Sequence, residues 1–261
     1  MKIPFIKMQA QGNDFVVFYN NSFEGFQIDF SKLAVDVCNR HFGIGADGLV
    51  ILKESASDSH KMIIYNADGS RAEMCGSALR CCAALIYSRN KALVISIITD
   101  NGILQCRIAE SDPSIVKVEI GIPEMIENNL AINDHIGDFV KVGNPHFVVL
   151  DQELDHDTFV KTSKEISESN FFSDGINIEF IRIVNRDEID MLVWERGVGA
   201  TLACGTGAAA SVFSCSLKGL LDEVVKVNSP GGFVVIRNIT GRYFLEGSVN
   251  VIAEGNFVWK A

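Results

Sequence analysis

The sequence predicts an α/β (α+β) fold built from two similar halves, and three observations support this prediction. Short segments rich in Val and Ile, such as FVVFYN and FVVIRNI, recur along the whole chain and are typical of strands. Helical patterns, in contrast, are few. A Cys-Gly pair at an apparent helix start occurs at Cys75 and again at Cys204, about half a chain length further on. We therefore expect an internal duplication, with two lobes that meet at a cleft and bring the two helix starts face to face.

Four helices are predicted from apolar residues at helical spacing and from residues that favour helix ends. The alternating segment IVNRDEIDMLV predicts a hairpin with its turn at Asn185 to Glu188. The predicted helices extend from an N-cap at Ser31 to a stop at Gly43, from at or just after Cys75, from about Asp157 to Ser167, and from near Cys204 to a stop at Gly219.

The composition excludes several classes of protein. A net charge of −10 disfavours nucleic acid as a partner, because nucleic acid favours a basic surface. The longest apolar runs are too short to cross a membrane, and the first residues lack the apolar core of a signal peptide. Seven cysteines without a CxxC pair or metal spacing favour a reduced, cytoplasmic, soluble protein with no metal site.

A cysteine at a helix start is in a position that favours specific chemistry. The first turn of a helix leaves backbone N–H groups unpaired and has a partial positive charge, which stabilises a thiolate and binds a carboxylate. Gly76 and Gly205 would allow a ligand to approach these amides closely. Two such starts could hold one amino-acid carboxylate and place a sulfur on either face of its α-carbon. The residues alone leave two alternatives open, namely two cysteines that merely pack in the core and a redox pair.

Several motifs occur in an order that identifies a resemblance. These are KMQAQGNDF, HFGIGADG, YNADGSRAEMCG, GNPHFVV, GINIEF, WERGVGATLACGTGAAA and PGG, which together span nearly the whole chain. In this order they resemble the diaminopimelate epimerases, cofactor-independent enzymes that invert one α-carbon of LL-diaminopimelate to give the meso form.

The resemblance implies roles for individual residues. Two cysteines match the two bases, and the amides that follow each of them match the groups that hold the reacting carboxylate. Asn13 and Glu195 match groups at the reacting end of the substrate, and His146 matches a position that tunes the site. Catalytic positions are matched by Cys75, Cys204, Glu195 and His146, and substrate-binding positions by Asn13, Asn66, Gly76, Ser77, Asn144, Asn177, Glu195, Arg196, Gly205 and Thr206. Among these, Asn66, Asn144, Asn177 and Arg196 match the groups that recognise the distal end.

The resemblance also implies an architecture and a setting. Each lobe is expected to be a curved, mostly antiparallel sheet around a central helix, with the active site in the cleft. The N-terminal lobe would comprise residues 1–118 with a returning segment 250–261, and the C-terminal lobe residues 119–249. The expected reaction belongs to lysine and peptidoglycan precursor biosynthesis, needs no cofactor, and acts on a small molecule. A homodimer is possible, although SVNVIAEG lacks an aromatic residue that some members place at the dimer contact.

One departure from the family pattern affects the expected site. The family usually has Cys-Gly-Asn-Gly where this chain has Cys75-Gly76-Ser77-Ala78. A contact through the backbone N–H of Ser77 would survive this change, whereas a contact through the Asn side chain would not. Three alternative functions remain: a related two-cysteine racemase for another amino acid, a thiol redox protein, and a binding protein that has lost its chemistry.

Overall fold

The computed structural model describes residues 1–53, 60–72, 74–151, 153, 155–169 and 171–260. The chain divides into two compact units, which we call unit 1 and unit 2. Unit 1 comprises Met1–Val118 and Ser248–Ala261, and unit 2 comprises Glu119–Gly247. The described residues of each unit form a series of strands and two α-helices.

Unit 1 begins and ends with a strand, so the C-terminal strand returns to it. A short 3₁₀ helix, Asn20–Phe23, precedes its first α-helix. Its strands are β1 (Lys2–Ala10), β2 (Asn13–Tyr19), β3 (Gly48–Lys53), β4 (His60–Asn66), β5 (Arg71–Ala72), β6 (Val94–Thr99), β7 (Gly102–Ile108), β8 (Ile115–Gly121, which continues into unit 2) and β18 (Asn250–Val258). Its helices are α1 (Phe30–Cys38) and α2 (Gly76–Asn90).

Unit 2 is continuous in sequence and has the same alternation of strands and helices. Its strands are β9 (Glu124–Ile132), β10 (His135–Val142), β11 (Asn144–Leu150), β12 (Asn177–Asn185), β13 (Glu188–Glu195), β14 (Gly199–Thr201), β15 (Val224–Ser229), β16 (Gly232–Ile239) and β17 (Arg242–Ser248). Its helices are α3 (His156–Ser167) and α4 (Gly205–Leu217).

The two units repeat one pattern of strand pairing. In unit 1 the neighbours follow the order β18-β1-β2-β3-β4-β6-β7-β8, with the short β5 also on β4. In unit 2 the order is β9-β10-β11-β12-β13-β15-β16-β17, with the short β14 on β13. The parallel pairs fall at matching places, β2–β3 and β4–β6 in unit 1 and β11–β12 and β13–β15 in unit 2. The predicted fold class, two pseudo-symmetric α+β halves with mostly antiparallel strands, is confirmed.

In each unit the sheet packs against one largely buried helix. Helix α2 contacts β1, β4, β6 and β7, and α4 contacts β10, β11, β12 and β16. Both helices have small or apolar side chains around most of their circumference, which suits a helix buried on many sides. The other two helices, α1 and α3, are amphipathic and pack with one face on the strands. No helix in the described part of the chain is long and apolar enough to cross a membrane.

Most of the predicted helix starts are confirmed, but that of α1 is wrong. Helices α2 and α4 begin directly after Cys75 and Cys204, and the hairpin turn between β12 and β13 lies where the sequence predicted it. Helix α1 is capped by Asp29, whose side chain accepts a hydrogen bond from the Lys32 amide (3.1 Å). The predicted cap, Ser31, instead donates to the Gly69 carbonyl (2.6 Å). Helix α1 also ends at Cys38, five residues before the predicted stop at Gly43.

Candidate functional site

The starts of α2 and α4 have the same backbone geometry. Cys75 is the N-cap of α2 with φ −145° and ψ 120°, and Cys204 is the N-cap of α4 with φ −134° and ψ 119°. Both cysteines are half-buried, whereas the other five cysteines of the chain are buried, and none of the seven forms a disulfide. Each unit therefore has one half-buried cysteine next to the amides of a helix N-terminus, a combination that suits an anionic ligand.

The surroundings of Cys204 favour a thiol rather than a thiolate. Burial raises the pKa of Cys204 well above its ordinary value, and the carboxylates of Glu195 and Glu179 raise it further. Contacts of the Cys204 sulfur with the Thr206 hydroxyl and the Gly207 amide (both 3.4 Å) lower this pKa but do not reverse the shift. The expectation that the helix start would stabilise a thiolate at this position is therefore wrong, because desolvation and two carboxylates outweigh the helix terminus.

Strand register brings three of the sequence-predicted residues of unit 2 into one row. On the parallel strands β11 and β12, His146 pairs with Asn177. On the antiparallel strands β12 and β13, Ile178 pairs with Trp194, so Asn177 lies opposite Glu195 one residue further along. Strand β14, which leads into α4, pairs with the same end of β13.

His146 is held by side chains on both ring nitrogens. It is fully buried, its Nδ1 lies 2.7 Å from Glu179 Oε1, and its Nε2 lies 3.1 Å from Asn144 Oδ1. Since a carboxylate only accepts hydrogen bonds, Nδ1–H donates to Glu179. These bonds fix the ring and orient Asn144.

Glu179 is a site residue that the sequence analysis missed. It is fully buried, and within the described residues its Oε2 has no hydrogen-bond partner. A Cβ built on Gly207 would overlap Glu179 Oε1, so the carboxylate lies against the first turn of α4. The signal was present in GINIEF, because residues two apart on a strand share a face and Glu179 follows Asn177 at that spacing.

Asn177 uses both ends of its side chain within unit 2. Its Oδ1 accepts from the Arg196 amide (2.9 Å), and its Nδ2 donates to the Pro145 carbonyl (2.9 Å). Arg196 is exposed, and its guanidinium donates to the Asp174 carbonyl (3.2 Å). Glu195 accepts a hydrogen bond from the Thr201 hydroxyl (2.6 Å). Asn177 thus fixes the backbone from which the Arg196 side chain projects.

In unit 1, Asn13 and Asn66 lie at the same end of three neighbouring strands. Phe15 of β2 pairs with Gly48 of β3, and Gly48 pairs with Asn66, the last residue of β4. The Asn13 Oδ1 atom is buried without a hydrogen-bond partner in the described part of the chain. Asn66 is exposed and donates to the Ser70 hydroxyl (2.9 Å).

Arg80 is the second residue that the sequence analysis missed. Its side chain is almost completely buried beneath the first turn of α2. Nη2 donates to Gln11 Oε1 (2.7 Å) and to the Ser77 hydroxyl (3.4 Å), and Nε donates to the Gly76 carbonyl (3.3 Å). Arg80 therefore supports the two residues whose amides were predicted to hold a carboxylate.

No group of three or more His, Cys, Asp or Glu side chains in the described ranges is arranged to hold a metal ion. The predicted site residues divide between the units. Unit 1 contains Asn13, Asn66, Cys75, Gly76 and Ser77, and unit 2 contains Asn144, His146, Asn177, Glu195, Arg196, Cys204, Gly205 and Thr206. That the two cysteines face each other remains a prediction.

Comparison with known proteins identifies a family. The family model described as diaminopimelate epimerase matches residues 5–126 and 139–250. The chain is 37% identical over 282 residues to a diaminopimelate epimerase of Halothermothrix orenii, with 99% of both chains covered. It is 35% identical over 271 residues to a diaminopimelate epimerase of Rickettsia bellii, with 98% of both chains covered.

More distant solved structures share the fold. A phenazine biosynthesis protein of the PhzF family from Bacillus anthracis superposes with a TM-score of 0.74 at 13% identity, covering 99% of this chain and 100% of the other. A hydroxyproline epimerase from Agrobacterium vitis superposes with a TM-score of 0.70 at 13% identity, covering 98% and 90%. At these identities the likeness concerns the architecture alone.

Proposed function

We propose that this chain, which belongs to the diaminopimelate epimerase family, interconverts LL- and meso-diaminopimelate by proton transfer at one α-carbon. The observation on which the proposal rests is the pair of half-buried cysteines at two helix starts of matching geometry. A racemase for another amino acid and a thiol redox protein are not favoured, because the matched relatives are diaminopimelate epimerases over nearly their whole length.

The proposed chemistry uses one sulfur as base and the other as acid. The thiolate removes the α-proton from one face, and the electron pair of the broken C–H bond is delocalised into the adjacent carboxylate. The thiol then donates its proton to the opposite face of the carbon, which completes the inversion. After one turnover the first sulfur is a thiol and the second a thiolate, so exchange with solvent must restore the starting state.

The helix N-termini would bind the reacting carboxylate. Backbone N–H groups of Gly76, Ser77, Gly205 and Thr206 lie in the first turns of α2 and α4, where they lack intrahelical acceptors. Negative charge on this carboxylate grows as the proton leaves, so these donors stabilise the transition state more than the ground state. Because the contact at Ser77 would use its backbone, the absence of the family Asn is compatible with activity.

The remaining polar groups suit a substrate with two ammonium and two carboxylate groups. The Asn13 Oδ1 atom, which has no partner among the described residues, and the carboxylate of Glu195 would accept from the ammonium at the reacting end. The exposed guanidinium of Arg196, on a backbone fixed by Asn177, would bind the distal carboxylate as a fork. Asn66 and Asn144 would complete recognition of the distal end.

The proposal includes a cellular setting. Seven cysteines without a disulfide suit a reducing compartment, so we place the enzyme in the cytoplasm, where it would serve lysine and peptidoglycan precursor biosynthesis. Assembly into a homodimer remains a prediction.

The test is conversion of LL-diaminopimelate in heavy water, followed by separation of the stereoisomers. Early product should contain deuterium at the inverted carbon, while unreacted substrate stays largely unlabelled, because different sulfurs remove and return the proton. Cys75→Ala and Cys204→Ala should each abolish inversion in both directions. Cys82→Ala and Cys215→Ala, which change buried cysteines further along the same two helices, are the matched controls and should remain active.

Two results would contradict the proposal. One is inversion at the wild-type rate by either N-cap variant, which would remove the two-thiol mechanism. The other is a folded wild-type protein that does not convert diaminopimelate but inverts another amino acid from a panel. That result would show that the substrate is a different amino acid.

A further inference from the structure

The repeated strand pairing gives a correspondence between positions in the two units. Gly48 is the first residue of β3 and pairs with Phe15 of the parallel strand β2. Asn177 is the first residue of β12 and pairs in the same way with His146 of the parallel strand β11. Two residues further along the strands, Val50 of unit 1 therefore corresponds to Glu179 of unit 2. Both side chains are fully buried, so one unit has an apolar group where the other has a carboxylate.

The two central helices differ in charge at corresponding positions. Counting five residues from each N-cap cysteine, Arg80 of α2 corresponds to Ala209 of α4, and both are buried. Unit 1 therefore has a buried cation behind its helix start and no carboxylate at the corresponding strand position. Unit 2 has a buried carboxylate at that strand position and no cation on the helix.

No buried acid balances Arg80 in the described part of unit 1. Helix α2 packs on β1, β4, β6 and β7, and the buried residues of these strands are apolar except for Thr99 and Cys106. Among the described residues, no Asp or Glu forms an ion pair with Arg80, and its Nη1 has no hydrogen-bond partner. A buried charge without a counter-ion is strongly destabilising, so an anion close to this guanidinium is expected.

Among the described residues, the groups near Arg80 that can supply this anion are sulfurs. Burial lowers the pKa of Arg80, and the sulfurs of Cys81, Cys75 and Cys106 oppose that shift. Cys81 and Cys106 are buried, and burial raises the pKa of each thiol to about 12 even beside Arg80. These two sulfurs are therefore neutral at pH 7, whereas Cys75 is half-buried at the helix N-terminus, where a thiolate is favoured.

We propose that Arg80 is the counter-ion of a Cys75 thiolate, so that the resting protein holds Cys75 ionised and Cys204 protonated. Arg80 is a positioning residue in this scheme, because it acts on the reacting carbon only through the sulfur and through the first turn of α2. The inference deepens the proposed function: it assigns the role of base to unit 1 and the role of acid to unit 2 at the start of the cycle.

Alkylation of the wild-type protein without substrate tests the inference directly. Iodoacetamide reacts with thiolates, and peptide mass mapping at a series of pH values gives a midpoint for each cysteine. We expect the Cys75 midpoint to lie at least about one pH unit below the Cys204 midpoint, since a nearby opposite charge and nearby like charges act in opposite directions. Because midpoints are compared, a difference in access to the two sulfurs does not affect the result.

Variants at Arg80 test the cause. Arg80→Met removes the charge and should slow alkylation of Cys75 at pH 7 by about tenfold or more, with the rate recovering at higher pH. Arg80→Lys keeps a charge and should restore part of the difference. Arg89→Met is the matched control, since Arg89 is an exposed arginine on the same helix that stacks on Tyr19 (3.7 Å), and it should leave the Cys75 midpoint unchanged.

Equal midpoints in the wild-type protein, or a lower midpoint for Cys204, would overturn the inference even if Arg80→Met does not fold. An unchanged Cys75 midpoint in a folded Arg80→Met variant would overturn the role of Arg80. These readouts need no turnover, so they are independent of the diaminopimelate assay. Failure of that assay with the expected midpoints would instead reject the proposed function.

Discussion

The starts of α2 and α4 share their backbone but differ in the side chains behind them. Both place a half-buried cysteine in an extended N-cap before a buried helix. Behind Cys75 lies the buried guanidinium of Arg80, and behind Cys204 lies the buried carboxylate of Glu179. A helix terminus contributes only about 0.3–1 kcal/mol to a nearby charge. At Cys204, burial and the neighbouring carboxylates outweigh the helix terminus and raise the pKa of the thiol.

The same difference appears in the sequence of the first turn. Unit 1 has Ala78 three residues after its cysteine, and the side chain packs in the core. Unit 2 has Gly207 at the corresponding position, because Glu179 Oε1 occupies the space that a Cβ would need. The carboxylate of Glu179 therefore requires a glycine at position 207, and unit 1 has neither residue at the corresponding positions.

The largest expected effect on stability comes from removing Glu179. Glu179→Ala leaves the buried His146 Nδ1–H without its acceptor, which costs about 1–3 kcal/mol, and the cavity left by the removed side chain adds to this loss. At the corresponding position of unit 1, Val50→Ala removes only two methyl groups and should cost about 1–2.5 kcal/mol. Urea unfolding of both variants gives the two free energies of unfolding.

A double variant sharpens this prediction. His146→Phe with Glu179→Val gives unit 2 the residues that unit 1 has at Phe15 and Val50, so it removes both partners together. It should be destabilised by less than the sum of the two single changes, because the single changes share one interaction. Strict additivity would mean that the 2.7 Å contact between His146 and Glu179 contributes no coupling.

A smaller effect is expected at the first turn of α4. Gly207→Ala places a Cβ against the Glu179 carboxylate and should destabilise the protein by about 1–3 kcal/mol through overpacking. Gly76→Ala is the matched control in unit 1, because a Cβ at that position would meet no atom within 4 Å. Thermal unfolding should therefore separate the two variants, and an equal loss of stability would contradict the proposed contact.

The smallest expected effect is on the stability of the protein at low pH. Two buried aspartates, one in each unit, provide the comparison. Burial opposes ionisation of Asp138, but hydrogen bonds from the Asn129 amide and from Lys218 hold its pKa below the ordinary value of 3.8. The pKa of Asp14 in unit 1 is also lowered: burial opposes this shift, and hydrogen bonds from Arg40 and Lys7 outweigh it. A lowered pKa in the folded state stabilises the protein above the unfolded value, and this contribution is lost as pH falls through the folded pKa.

Thermal unfolding at pH values from 6 down to 2 measures this contribution. The wild-type midpoint temperature should decrease below about pH 4, and Asp138→Asn should reduce the decrease because it removes one titrating group. Asp14→Asn is the corresponding variant of unit 1. A pH dependence identical to that of the wild type in both variants would show that other carboxylates cause the acid sensitivity.

Local signals along the chain predicted much of the fold. The two helix starts, the hairpin turn and the repeated halves follow from residue spacing and from residues that favour helix ends. The cap of α1 was missed because Asp29 and Ser31 are both good N-cap residues, and the tertiary contact of Ser31 with Gly69 decides between them. Competition between nearby caps cannot be resolved without knowledge of the distant partner.

The two cysteines of the candidate site were predicted from the sequence, but the charged groups around them were predicted only in part. Residues at helix starts and in motifs were identified, whereas Arg80 and Glu179 were not. Arg80 acquires its role from Gln11, which is distant in sequence, and Glu179 from the register of β11 with β12. The raised pKa of Cys204 depends on burial and on carboxylates from two strands, and none of these is a local property of the sequence.

The returning strand β18 has a consequence for the order of folding. Strand β1 lies between β2 and β18, and Lys2 pairs with Val258, so unit 1 joins segments from opposite ends of the sequence. The ribosome completes every strand of the contiguous unit 2 before it makes β18, and domains generally fold as units during synthesis. Unit 2 should therefore reach its native structure first, while the nascent unit 1 exposes the free edge of β1. Such an edge can pair with another chain, so misassembly in the cell should arise from unit 1.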